Sequence, residues 1–249
     1  MTDKSFKHRL AAGEKLIGTL VSLRAPEAAE IMRRAGFDWL FLDAEHGPLE
    51  AGDFPDLMRA AGPGTPCLVR VAEAAAVPIK KALDAGADGI IAPMVNSAKQ
   101  AEQVVRFAKY PPEGERGVGL CRAHGYGLSF QDYMDRANRD LAVVVQAEHI
   151  DAVKDIDAIA AVEGIDAVMV GPYDLSASMG RTGDVHHPEV TAAIDRVTET
   201  CRRAGVRLGI FGMTAEAVLP YIEKGYTMII VGVDALLMGQ AARELRNRF

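Results

Sequence analysis

Apolar residues fall into short continuous runs, separated by stretches in which they return every three or four positions, and this rhythm holds along the whole chain. The runs predict strands at residues 16–23, 37–43, 67–71, 89–93, 141–147, 167–170, 207–211 and 228–231. The intervening stretches predict helices at 26–35, 53–61, 77–85, 98–109, 152–161, 188–204, 215–224 and from 235 onward, with Pro26 and Pro188 in first turns and Gly86 as a stop. Eight strands alternating with eight helices require parallel strands joined by helical crossovers, and eight such units close naturally into a (β/α)8 barrel. With no Pro-, Gly- or Ser-rich linker, residues 1–249 read as one domain. One region breaks the rhythm. Residues 111–138 carry Gly114, Gly117, Gly119, Gly125 and Gly127 among Arg116, Arg122, His124 and Tyr126, and are expected to form an active-site loop with a short helix near 131–138.

In such a barrel chemistry belongs at the C-terminal ends of the strands. The polar residues comply: Asp43, Glu45 and His46 follow the second strand, Arg70 ends the third, Gln146 and Glu148 end the fifth, and Asp174 follows the sixth. Gln146 and Glu148 share one strand face, so Glu148 points to the barrel mouth if Gln146 does. Glu148 and Asp174 are candidate ligands of a hard divalent cation, with substrate and water supplying further oxygens; alternatively they cap helices. His46 is a candidate general base and Asp43 the carboxylate that fixes its tautomer, against a histidine that merely holds a loop. Arg70 calls for an anion, either a substrate oxygen or an inner aspartate. Gly171 and Pro172 offer close backbone approach to an anionic ligand. Glu45 is expected to shape a loop or interface, and Arg122 and Tyr126 either close over a ligand or pack.

Composition narrows the chemistry. A chain of 249 residues suits one barrel, and 49% hydrophobic with 25% charged residues excludes disorder. A net charge of −6 argues against a nucleic-acid surface and toward a small-molecule substrate. Cys67, Cys121 and Cys201 are too scattered for a disulfide framework and read as reduced cytoplasmic thiols. No secretory signal and no membrane span are expected. The adjacent pair His186 and His187 precedes Pro188 at a helix start and reads as loop. No lysine ends a predicted strand, so a Schiff-base mechanism lacks its nucleophile, and neither GxGxxG nor GxxxxGK[ST] signals a nucleotide.

The segments DAEHG, LVRV, ADGIIAPMV, RGVG with CRAHGYG, VVQAEH and VGPYDLSASMG resemble the metal-dependent pyruvate aldolases of the HpcH/HpaI type, over nearly the whole chain. The resemblance implies a (β/α)8 barrel in a hexamer, a trimer of dimers whose last helix packs on a neighbouring subunit. It implies that Glu148 and Asp174 bind Mg²⁺, Mn²⁺ or Co²⁺, which pyruvate chelates, and that Gln146 places the pyruvate. Arg70 then stabilises the enolate oxygen, while His46, supported by Asp43, takes the proton of the C4 hydroxyl as a 4-hydroxy-2-oxo acid is cleaved to pyruvate and an aldehyde. The rivals are a decarboxylase of the oxaloacetate type at the same site and a non-catalytic oxoacid-binding barrel. Two departures stand out: Thr19 stands where many members have Trp, reshaping the pocket near the first strand, and His149 replaces Thr after Glu148.

Overall fold

The computed structural model describes residues 5–249. Its strands are β1 (Leu16–Val21), β2 (Trp39–Asp43), β3 (Cys67–Arg70), β4 (Gly89–Ala92), β5 (Ala142–Ala147), β6 (Ala167–Val170), β7 (Arg207–Gly212) and β8 (Met228–Val233). Each pairs in parallel with the next, and β8 returns to β1, closing the barrel. The helices are α1 (Phe6–Ala11), α2 (Pro26–Arg34), α3 (Phe54–Ala61), α4 (Ala76–Asp84), α5 (Ala98–Ala108), α6 (Phe130–Asp140), α7 (Ile150–Lys154), α8 (Ile156–Ala160), α9 (Pro172–Ser178), α10 (Pro188–Ala204), α11 (Ala215–Glu223) and α12 (Asp234–Arg246).

Alternation along the strands sorts their side chains into two cores. Leu16, Leu20, Trp39, Phe41, Leu68, Ile91, Val144, Met169, Met228 and Ile230 fill the barrel, while Leu40, Leu42, Val69, Ile90, Val143, Val145 and Val168 meet the helices. Gly18 is obligatory here, since a Cβ would lie 2.4 Å from the Trp39 ring. The sequence reading missed α1, which caps the N-terminal end of the barrel. Its Phe6 and Leu10 join the inner core, with the Phe6 ring 5.2 Å from Trp39. Full burial of each such side chain contributes roughly 1.5–3 kcal/mol.

Three other expectations need correction. The helix expected over 152–161 is broken at Asp155, whose carboxylate instead accepts the Ala98 amide, at 2.8 Å, at the start of α5. Residues after Gly171 form α9 rather than a loop, so Asp174 lies in a helical first turn. The region 111–138, expected at the active site, joins the end of α5 to the start of β5 and therefore lies at the opposite, N-terminal end of its own barrel. Arg122 Nη1 donates to the Ala85 carbonyl (2.7 Å) and Arg116 Nη2 to Asp84 (2.7 Å), both at the end of α4. His124 organises the turn over Arg122–Gly127 by accepting the Gly127 amide at Nδ1 (3.0 Å) and donating from Nε2 to the Gly119 carbonyl (2.8 Å), and Tyr126 is exposed. A groove of about 1150 Å³ opens at this end, between α1, residues 62–67, residues 86–88 and α6.

Candidate active site

The opposite end of the barrel, where the strands finish, holds a cavity of about 250 Å³. Leu20, Phe41, Met169 and Phe211 form its apolar wall, while Arg70, Gln146, His46 and Asp174 bring polar groups to it, and Gly171, Pro172 and Tyr173 close one side. Of the strand-end residues singled out from sequence, His46, Arg70, Gln146, Gly171, Pro172 and Asp174 line this cavity, and Asp43, Glu45 and Glu148 do not. Asp43 and Glu148 lie immediately behind it and hold lining residues in place.

The β2–β3 register sets Asp43 opposite Arg70. Arg70 Nε and Nη2 donate to the two Asp43 oxygens, at 2.8 Å each, in a buried bidentate pair. Glu45 Oε2 lies 3.1 Å from Arg70 Nη1, and the guanidinium stacks 5.2 Å from the centre of the Phe41 ring. Burial works against the Arg70 charge, but Asp43 and Glu45 more than offset it and hold its pKa above the ordinary value. The cation is fixed in orientation before any ligand arrives. Asp43 Oδ1 also accepts the Glu45 and His46 amides (3.1 and 3.4 Å). Asp43 makes no hydrogen bond to the His46 side chain among the described residues: its oxygens bond to Arg70 and to backbone amides. The His46 side chain is 64% exposed, and its nearest charged neighbour is Glu45, with Oε2 3.9 Å from Nε2.

Glu148 is 2% exposed. Its Oε1 accepts the Met94 amide at 2.7 Å and its Oε2 accepts the Gln146 side-chain amide. Desolvation is the main cause of a carboxyl pKa pushed up to about 7, with Glu45 and Asp174 adding to it and the Met94 amide opposing. The Met94 amide reaches Glu148 from a left-handed backbone conformation, φ 53°, which nothing in the residue type announces. Gly171 is required for contact, because a Cβ there would lie 2.8 Å from both Cβ and Oε2 of Glu148. Gln146 Oε1 is buried with no hydrogen-bond partner among the described residues. A buried carboxylate disfavoured by desolvation, a second carboxylate near enough to raise its pKa, and an unsatisfied amide oxygen form a hard-oxygen donor set that suits a divalent cation. No third acidic, histidine or cysteine ligand joins them among the described residues, leaving coordination positions for a ligand.

The two departures from the resembled pattern resolve differently. Thr19 is fully buried and turned away from the cavity, with Oγ1 donating to the Gly232 carbonyl (3.3 Å), and Leu20 is the β1 side chain on the cavity wall. His149 caps α7, its Nδ1 accepting the Asp151 amide at 3.1 Å. His187 likewise caps α10, accepting the Glu189 amide at 3.2 Å.

Residues 16–241 match the family model described as HpcH/HpaI aldolase/citrate lyase. The chain belongs to the HpcH/HpaI aldolase family. Among its relatives in that family, a hydroxypyruvate/pyruvate aldolase of Pseudomonas aeruginosa is 42% identical over 98% of this chain and 92% of its own length. A 4-hydroxy-2-oxo-heptane-1,7-dioate aldolase of Shigella sonnei is 40% identical, covering 99% of this chain and 95% of the relative. The crystal structure of an HpcH/HpaI aldolase/citrate lyase family protein from Burkholderia cenocepacia superposes with a TM-score of 0.93 at 37% identity, over 97% of each chain. Aldolases of this kind are carbon–carbon lyases.

Proposed function

We propose that this member of the family is a divalent-metal-dependent pyruvate aldolase that reversibly cleaves a 4-hydroxy-2-oxo acid to pyruvate and an aldehyde. The observation that carries the reading is that Asp174 and a fully braced Arg70 line one cavity with a desolvated Glu148 directly behind it. Glu148 and Asp174 are the residues to hold Mg²⁺, Mn²⁺ or Co²⁺, which supplies Lewis acidity toward the carboxylate and keto oxygens of pyruvate. Gln146, Gly171 and Pro172 line the place where the oxoacid sits. Arg70 presents fixed positive charge where the enolate oxygen develops as the C3–C4 bond breaks, so no reorganisation opposes the step. His46, at the open mouth, takes the proton of the C4 hydroxyl and returns it in the aldol direction. The wall of Leu20, Phe41 and Phe211 excludes water from the enolate. The last helix supports a homo-oligomeric reading: from residue 237 onward every residue is exposed, including Met238, Leu245 and Phe249, so α12 offers an apolar stripe to a neighbouring subunit of a hexamer.

Exchange of the pyruvate methyl protons with deuterated water, followed by NMR, tests the enolate half of the reaction. Exchange is expected with Mg²⁺ or Mn²⁺ present and is expected to fall at least a hundredfold in Arg70→Ala. Pyruvate binding without exchange would identify a non-catalytic barrel. Oxaloacetate decarboxylation that survives His46→Ala, with no aldol cleavage by the wild type, would identify a decarboxylase.

A further inference from the structure

Strand β4 ends in Ala92 and brings no ionisable side chain to the mouth of the barrel. What reaches the site from it is the backbone amide of Met94, which donates to Glu148 Oε1 at 2.7 Å. Register explains the reach: β4 pairs with β5 up to Ala92 and Val145, so the chain leaving β4 runs beside the residues that end β5. Met94 makes this bond at φ 53°, and Tyr126 is the only other non-glycine residue with a positive φ among the described residues. The Met94 side chain does not account for that conformation, being 44% exposed while Pro93 and Val95 on either side are buried. The chain turns this side chain out and its amide in, at a backbone angle that a residue with a Cβ adopts only against a steric penalty.

The other side of the same carboxylate is as closely defined. Glu148 Oε2 accepts the Gln146 side-chain amide, and a Cβ on Gly171 would come within 2.8 Å of it. Gln146 and Gly171 line the cavity, so Oε2 is the oxygen on the cavity side. We propose that Met94 is a positioning residue for the cation site: its left-handed backbone places the amide on Oε1 and leaves Oε2 as the oxygen that Glu148 offers the metal. A carboxylate free to rotate spends binding energy on being ordered, whereas one already fixed by a charge-assisted hydrogen bond does not. The inference rests on the metal site of the aldolase reading and gives β4 a part in it. The part is invisible in the residue type, because Met94 acts only through the backbone angle it tolerates.

The test is the Mn²⁺ affinity of the full-length chain, stripped of metal and titrated calorimetrically, with the metal-free Tm of each protein read alongside. Met94→Asn supplies a residue that tolerates the left-handed region, whereas Met94→Val supplies a β-branched one that does not. Met94→Asn is expected to bind within about threefold of wild type and Met94→Val roughly tenfold or more weakly, the loss typical when a metal ligand loses its hydrogen-bond partner. A turn with a merely structural role would move Tm and leave Mn²⁺ affinity alone. Met94→Val binding within about threefold of wild type therefore overturns the proposal, and so does Met94→Asn binding as weakly as Met94→Val. A second measurement needs no variant: hydrogen–deuterium exchange of a wild-type peptide containing residue 94 is expected to slow by about tenfold when Mn²⁺ binds, because the cation fixes the carboxylate that accepts this amide. Unchanged exchange overturns the proposal equally. Neither readout involves turnover. Wild type that binds Mn²⁺ in this pattern but cleaves no 4-hydroxy-2-oxo acid overturns the aldolase reading alone, and wild type that binds no Mn²⁺ overturns both.

Discussion

Glu148 concentrates the physics of the site in one side chain. Its carboxyl titrates near 7 in the folded protein, against an ordinary 4.5, because burial penalises the anion. In metal-free protein the fold therefore keeps a proton that the unfolded chain has already released between pH 4.5 and 7. The sign follows: metal-free stability falls as pH rises through that window, by up to about 3 kcal/mol, and levels off above it. Chemical denaturation of EDTA-treated protein across this range is expected to show the slope, and Glu148→Gln is expected to reduce it. Adding Mg²⁺ or Mn²⁺ at pH 8 should raise the wild-type Tm and leave the variant unmoved. An unchanged slope in the variant would place the titrating group elsewhere. The identities of Glu148, Asp174, Arg70 and His46 were legible in sequence because each is a polar residue where an apolar strand ends. Their partners were not. Nothing in the sequence says that Asp43 turns to the guanidinium, or that Met94 bends into a left-handed conformation to reach Glu148, because these choices are made by strand register across the barrel.

At the level of elements, the eight strands were readable because a barrel strand is apolar on both faces and stands out from amphipathic helices. The helices α1 and α9 escaped because each spans under two turns, too short for a period of 3.6 residues to declare itself. Residues 111–138 misled because glycines and polar side chains mark irregular backbone without saying at which end of the barrel it lies, and only the order α5, loop, β5 decides that. The terminal helix α12 makes the opposite point. Its first residue is buried, with Asp234 accepting the amides of Ser22 and Leu23 at 3.0 and 3.1 Å, while Leu237, Met238 and Leu245 face solvent. Ending the chain after residue 236 keeps the Asp234 anchor and removes the exposed stripe. The expected outcome, read by light scattering, is a smaller assembly than the full-length chain forms. An identical mass for both would show that α12 plays no part in assembly.

For the whole molecule, the closed barrel sends one end to packing and the other to chemistry. The N-terminal end is capped by α1, whose Phe6 and Leu10 join the inner core, while the C-terminal end gathers residues from β2, β3, β5 and β6 that are far apart in sequence. No helix among the described residues is long and apolar enough to cross a membrane. With no lysine at a strand end to form a Schiff base, the account stands on a divalent cation at Glu148 and Asp174 as the electrophile. Its most direct test is the release of pyruvate from a 4-hydroxy-2-oxo acid by protein stripped of metal and then reloaded. The account predicts no release above background after stripping, restoration by Mg²⁺ or Mn²⁺, and no restoration in Asp174→Ala. Undiminished release from verifiably metal-free protein, or a pyruvate adduct trapped on lysine by borohydride, would contradict it.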